Sequence, residues 1–142
     1  MRVTFVVPGV PKGKERPRVI RDVSGRPHAY TPTATKNKEK AIAGLYLESA
    51  NGYRFEGKPL RVVMNFYYPI PTSWSKGDKA KALAGIRTPC VKPDLDNVVK
   101  LVMDALNGVA YPDDKQILIL EASKKYSEIA RTEVLIEDIE EV

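Results

Sequence analysis

The 142 residues include one cysteine, one histidine and one tryptophan, and each scarcity removes a class of answers. A lone Cys90 cannot form an intrachain disulfide, which fits a reducing cytoplasm as the expected location. It has no histidine near it in sequence and reads as an unreactive thiol. His28 stands alone in a basic loop and reads as a surface residue, because a metal site needs company. Trp74 reads as a core or interface aromatic rather than a base-stacking platform. No stretch approaches the roughly 18 apolar residues of a membrane span, so no membrane partner is expected. The opening Met1-Arg2-Val3-Thr4-Phe5-Val6-Val7-Pro8 is too short, and too soon broken by proline, to read as a secretory signal. There is no internal repeat and no low-complexity segment.

What is present is globular: 43% apolar and 29% charged residues, enough chain for one core and too little for two. The net charge of +5 is lopsided. Residues 1–40 hold ten Lys/Arg against three acids, and the remainder holds thirteen against fifteen. A basic segment joined to a mildly acidic body points to a polyanion, nucleic acid first among candidates; a solvated basic face is the plain alternative.

Residues 2–7 read as a strand stopped by Pro8. From Gly9 to Pro32, prolines 11, 17, 27 and 32 exclude a long helix, leaving a basic arm or irregular hairpin over about 9–32. Residues 34–50 predict a helix with Ile42, Leu45 and Tyr46 inward and Gly52 just past its end. Leu60, Val62, Met64, Phe66 and Tyr68 alternate with Arg61, Val63, Asn65 and Tyr67, the clearest strand pattern in the chain. Ser75-Lys76-Gly77-Asp78 has capping-box spacing and opens a short helix closing at Gly85. A helix over about 95–106 follows, with a turn at Asn107-Gly108. Residues 116–126 and 131–139 read as two antiparallel strands. Glu133, Glu137, Asp138, Glu140 and Glu141 read as a solvated edge rather than a site. This order predicts an α+β fold, one domain over 1–142 with a mixed β-sheet and packed helices, rather than a doubly wound parallel sheet.

The chemistry concentrates in about 92–117: Lys92-Pro93-Asp94-Leu95-Asp96-Asn97, Lys100, Asp104-Ala105-Leu106-Asn107-Gly108 and Asp113-Asp114-Lys115-Gln116. At about 100° per residue, Leu95, Val98, Val99, Val102 and Leu106 share one helix face, with Asp96, Lys100, Asp104 and Asn107 opposite. The helix is about 18 Å long, and Asn107 to Asp113 spans at most about 23 Å. The chain can therefore fold back, with little slack, to set Asp113 or Asp114 beside Asp94 and Asp96. Two carboxylates about 5 Å apart repel by roughly 3 kcal/mol at an effective dielectric near 20, so three converging acids call for a cation. Oxygen-only ligands suit Mg²⁺ or Mn²⁺ rather than Zn²⁺. Such an ion can activate water and stabilise in-line attack on phosphate, with Lys100 offsetting charge or binding the scissile phosphate. Each acid also has an ordinary role: Asp94 as a helix cap, Asp96 as a dipole-favoured first-turn acid, Asp113-Asp114 as a turn, Lys100 as half a surface ion pair.

These same residues closely resemble the signature of the RusA-type crossover-junction endodeoxyribonucleases. The likeness extends more loosely to Gly9-Val10-Pro11 with Lys14, Arg16, Pro17 and Arg18, resembling the basic arm of phage and prophage members. It extends also to Ile70-Pro71 with Ser73-Trp74-Ser75-Lys76, and to Lys125-Tyr126. The resemblance implies a RusA-like, Mg²⁺-dependent homodimer, with Mn²⁺ as a substitute ion, that binds four-way DNA junctions and nicks two opposed strands symmetrically. It implies Asp94, Asp96 and Asp114 as catalytic acids and metal ligands, with Asp113 the alternative to Asp114, and Lys100 as the catalytic base. Asp104 matches a position that is usually acidic. Lys12, Lys14, Arg16 and Arg18 are then expected to contact junction phosphates.

Two rival readings remain. A PD-(D/E)xK-type nuclease formally fits Pro93-Asp94 with Asp113-Asp114-Lys115, although that class wants the triplet on a strand. A non-catalytic basic DNA-binding module would use its acids only as caps and turns. A calcium loop is excluded because Val98 occupies a ligand position.

Overall fold

The alternation at residues 60–68 organises the molecule. In the computed structural model, which describes residues 1–15 and 17–139, Leu60–Pro69 is strand β4 of the numbered order below. Leu60, Val62, Met64, Phe66 and Tyr68 are buried on one side of it. Ahead of it come β1 (Arg2–Pro8), β2 (Arg18–Arg21), β3 (Pro27–Tyr30) and helix α1 (Thr33–Ala50). After it come α2 (Lys76–Leu83), α3 (Leu95–Leu106), a 3-10 turn (Asp114–Gln116), β5 (Ile117–Ser127) and β6 (Arg131–Asp138). The fold is α+β, a mixed four-stranded sheet in the order β1-β6-β4-β5 with helices on one face, plus the separate β2-β3 hairpin.

The sheet and helices share one core. α1 contributes Ile42 and Tyr46, and α3 contributes Val98, Leu101, Val102, Ala105 and Leu106, all against the inward residues of β1, β4 and β6. Leu101 and Ala105 belong to the buried stripe of α3, whereas Leu95 and Val99 lie at its half-buried margin. α1 ends on Asn51 in the left-handed region (φ 51°), followed by Gly52 (φ 75°), where glycine carries no Cβ penalty. Ser75 caps α2 by accepting from the Asp78 amide at 3.1 Å, as its spacing predicts.

The β5–β6 connection corrects the sequence reading. These strands do not pair with each other: β5 runs parallel to β4 (Val62↔Leu120, Met64↔Ala122), and β6 runs antiparallel to the other edge of β4 (Val62↔Ile136, Met64↔Val134). Residues 128–130 therefore pass over the end of β4. Ser127 Oγ and the Ile129 carbonyl both accept from Arg131 Nη1, at 3.0 and 2.9 Å, and pin that crossing. A three-residue link mimics a hairpin, but β4 is the most buried strand and needs partners on both edges. α3 is consequently the crossover of a parallel β-α-β unit and runs back from the Tyr68 end of β4 to the Leu60 end.

The acids of β6 are paired rather than solvated. Glu137 accepts from Arg2 and Arg61, and Asp138 accepts from the Met1 amino group and Lys58. Glu140 and Glu141 lie outside the described residues. The arm contains a true hairpin, β2 and β3 registered Arg18↔Tyr30 to Arg21↔Pro27, exposed along both strands. Asp22 organises its turn by accepting from the Ser24 hydroxyl (2.7 Å) and the Ser24 and Arg26 amides (both 2.9 Å), with His28 Nε2 at 2.8 Å. The Ser24 and His28 contacts hold the Asp22 carboxyl down at about 2.

Candidate functional site at the two ends of helix α3

At the amino end of α3, Asp94 is the N-cap residue with extended backbone, yet its side chain makes no capping bond. The cap role available to it is therefore unfilled. Asp94, Asp96 and Lys100 are all exposed, and among the described residues none of their side chains has a hydrogen-bond or ion-pair partner. Three charged side chains near one end of α3, none of them used internally, can serve a phosphate or a cation. The end is held firmly by other groups. Tyr68 at the end of β4 donates its hydroxyl to the Pro93 carbonyl at 2.7 Å. Burial, with the Asp94 charge beside it, pushes the Tyr68 hydroxyl up to about 12. Lys124 of β5 donates to the Val91 carbonyl, its ammonium 4.9 Å from the centre of the Tyr68 ring.

The basic arm crosses this end of the helix. The Lys14 amide donates to the Asn97 carbonyl at 3.0 Å. A Cβ on Gly13 would lie 3.1 Å from Pro93 Cβ and 3.3 Å from Asn97 Cβ, so the absence of a side chain permits the approach. Between arm and helix lies an open cleft of about 500 Å³ lined by Lys12, Gly13, Glu15, Lys92, Asp94 and Asn97.

Lys14 is placed otherwise than expected. Its ammonium bonds Glu39 of α1 and lies 3.2 Å from Asp104 of α3, with its side chain only 14% exposed. Burial works to lower its pKa, but bonds to Glu39 and Asp104 outweigh it and raise the value. A phosphate would have to displace two carboxylates, so Lys14 fastens the arm to the helices. Lys12 and Arg18 are exposed, Arg18 with only the exposed Glu15 carboxylate 3.9 Å away; Arg16 lies outside the described residues.

The carboxyl end of α3 carries the other acids. Asp113 caps the 3-10 turn, accepting from the Lys115 amide at 3.0 Å, while Gln116 Oε1 accepts from the Asp113 amide at 3.3 Å. Gln116 Nε2 donates to the Phe55 and Lys58 carbonyls at 3.0 and 3.1 Å, tying the turn to the approach of β4. The glutamine's anchoring role went unread in the sequence, although it closes a capping-box pattern with Asp113. The Lys115 amide, and after it Asp114, lower the Asp113 pKa; Asp114 is raised, first by Asp113, then by burial and the Asp113 and Asp104 charges.

These two ends do not meet within one chain. Asp94 adjoins Tyr68, whereas Asp114 lies three residues before Ile117, which pairs with Leu60 at the opposite end of β4. Leu60 to Tyr68 is about 26 Å at 3.3 Å per residue, so the Asp94–Asp114 separation is on the order of 20 Å. Oxygens sharing a Mg²⁺ at 2.0–2.1 Å lie within about 4 Å of each other. Among the described residues no three Asp, Glu, His or Cys side chains are grouped to hold an ion. The fold-back expected from chain length is not what residues 107–113 do. Val109 and Ala110 amides turn onto the Leu106 carbonyl, Gly108 bonds Tyr111, and Ala110 and Tyr111 are buried. Burial of Tyr111 spends the reach of that segment on packing. A single chain thus does not by itself fit one ion to Asp94, Asp96 and Asp114. Asp113-Asp114-Lys115 lies in a 3-10 turn rather than on a strand, unlike the triplet of the PD-(D/E)xK class.

The fold and this charge pattern describe an α+β protein that offers unpartnered acids and a lysine beneath a basic arm. The family model for endodeoxyribonuclease RusA matches residues 8–137, and the chain belongs to that family. The uncharacterized protein YqaN of Bacillus subtilis (strain 168) is 38% identical over 140 residues, with 96% of each chain covered. Among the described residues no helix is long and apolar enough to cross a membrane.

Proposed function

We propose that this family member acts as a homodimeric, Mg²⁺-dependent endonuclease that resolves four-way DNA junctions by paired symmetric nicks in recombination and repair. The supporting observation is the exposed, unpartnered set Asp94, Asp96 and Lys100 at the amino end of α3, beneath the basic arm. Asp114 completes the acidic set from a second copy, because within one chain it lies at the far end of the sheet. A two-fold dimer has two such sites, which suits a two-fold-symmetric substrate cut twice. Asp94, Asp96 and Asp114 would hold the ion, with Asp113 adjoining, and the ion would supply an activated water and charge neutralisation at the scissile phosphate. Lys100, one turn beyond Asp96, faces the same side and binds a phosphate oxygen. Lys12, Arg16 and Arg18 contact the phosphates of the junction arms.

Incubation with a labelled four-way junction and with linear duplex tests the reading. Paired nicks are expected on the junction alone, with Mg²⁺ or Mn²⁺, and none with EDTA. Binding without scission under every metal condition would instead establish a non-catalytic DNA-binding module. The arm has its own signature. Neutralising Lys12 and Arg18 together is expected to reduce the slope of log affinity against log salt by about two, near one per phosphate contact. The same variants at Lys14 are expected to lower stability instead, since its charge is used internally. An unchanged slope on removing Lys12 and Arg18 would remove the arm from the interface.

A further inference from the structure

We propose that the amino end of α1 seats one backbone phosphodiester of bound DNA, held by Thr35, Lys38 and Lys12 together with the free amides of the first helical turn. The source of the phosphate rests on the DNA reading above; the seat itself is built from α1 and the arm.

α1 opens on Pro32, which offers no side-chain acceptor, and its first turn holds no acid. The first bond of its ladder runs from the Lys36 amide to the Pro32 carbonyl at 3.1 Å. The amides of Thr33, Ala34 and Thr35 have no acceptor within the helix, and among the described residues nothing else accepts from them. Such an uncapped start presents N–H donors and about half a positive charge to an anion.

Thr35 is the independent sign of a ligand. It is only 4% exposed, yet its hydroxyl has no hydrogen-bond partner among the described residues. No side-chain oxygen or nitrogen among them is sealed from solvent without a partner, so this hydroxyl keeps contact with the cleft that Thr35 lines. That cleft, of about 250 Å³, lies between the arm and α1 and is lined by Lys12, Gly13, Glu15, Ala34, Thr35 and Lys38. Neither lysine forms an ion pair among the described residues. Glu15 opposes them, with its carboxylate 3.9 Å from Arg18. Lys14 keeps the cleft in shape, since its ammonium bonds Glu39 of α1 while its amide bonds Asn97 of α3.

The occupant follows from continuity. Lys12, Gly13 and Glu15 also line the 500 Å³ cleft at the amino end of α3, so the two clefts adjoin across the arm. A linked series of phosphates fits both, whereas an isolated anion fits one.

The test titrates the full chain onto a labelled four-way junction in EDTA, so that scission plays no part. Thr35→Val is expected to weaken binding about tenfold, the effect of one hydrogen bond to a charged group. Its thermal stability is expected to equal or exceed that of wild type, because no internal bond is lost. Thr35→Ser is expected to bind as wild type. Lys38→Gln is expected to lower the slope of log affinity against log salt by about one. Lys40→Gln, exposed on the same helix but not lining the cleft, is expected to leave the slope unchanged. Amide NMR separates the sources: the Ala34 and Thr35 amides are expected to shift with the junction, and with inorganic phosphate only at much higher concentration. Unchanged affinity in Thr35→Val, or unchanged slope in Lys38→Gln, would overturn the seat even in a protein that cuts junctions. An equal loss of slope in Lys40→Gln would replace it with diffuse attraction. Saturation of those amides by inorganic phosphate below the junction concentration needed would overturn the backbone assignment. Both expected effects in a protein that nicks nothing would keep the seat and remove the nuclease, and a wild type without affinity for the junction would remove both.

Discussion

Asp96→Asn is expected to abolish Mg²⁺-dependent nicking of a four-way junction, by on the order of a thousandfold, while junction affinity stays within about threefold of wild type. The two expectations separate chemistry from folding. Asp96 is exposed in the first turn of α3 with no partner among the described residues, so the amide replaces it without breaking a contact. The folded state gives up only the carboxylate's favourable interaction with the helix amino terminus, about 0.3–1 kcal/mol. Removing one negative charge from a surface that approaches phosphates leaves binding equal or slightly tighter. Cleavage of labelled junction under single-turnover conditions, with binding by fluorescence anisotropy, measures both. Nicking within about threefold of wild type would show that Asp96 is only a first-turn acid.

Two inactive variants are expected to make an active enzyme. Asp96→Asn and Asp114→Asn are each expected to be inactive as homodimers. A heterodimer of the two, isolated through two different tags after co-expression, contains one site with both substitutions and one with neither, if each site draws its acids from two copies. It is expected to nick at about half the wild-type rate per dimer and to leave junctions cut on one strand. A site contained in one chain gives the opposite result, because each subunit would carry its own lesion. The roughly 20 Å between Asp94 and Asp114 is the reason for expecting recovery. A heterodimer as inactive as its parents would return Asp114 to an ordinary turn role.

Legibility varied with how local the determining physics is. β4 and α3 were readable because a period of two and a period of 3.6 record which side each residue buries. The Ser75 cap and the Gly52 stop were readable for the same reason, being fixed by a few neighbouring groups. The pairing of β5 and β6 was not, since a three-residue link looks identical whether strands sit side by side or straddle a third. The relation of Asp114 to Asp94 was misjudged because chain length sets only an upper limit. What uses up that length is the burial of Ala110 and Tyr111, a tertiary fact. Lys14 was grouped with Lys12 on charge, yet Glu39, on a helix 25 residues on, decides its role. The arm's composition forbade a helix without showing the hairpin, whose turn depends on one carboxylate, Asp22, gathering several donors.

The strand between β1 and β4 is β6, the sixth strand in chain order. Among the described residues β1 pairs with no other strand, and Phe5 lies opposite Val134. During synthesis, therefore, residues 2–8 wait for a neighbour made well over a hundred positions later, and the middle of the sheet closes only when that neighbour arrives. Interruption before residue 131 would strand β1 with an open seam on β4, so a nascent chain of this protein gains its core late and nearly all at once.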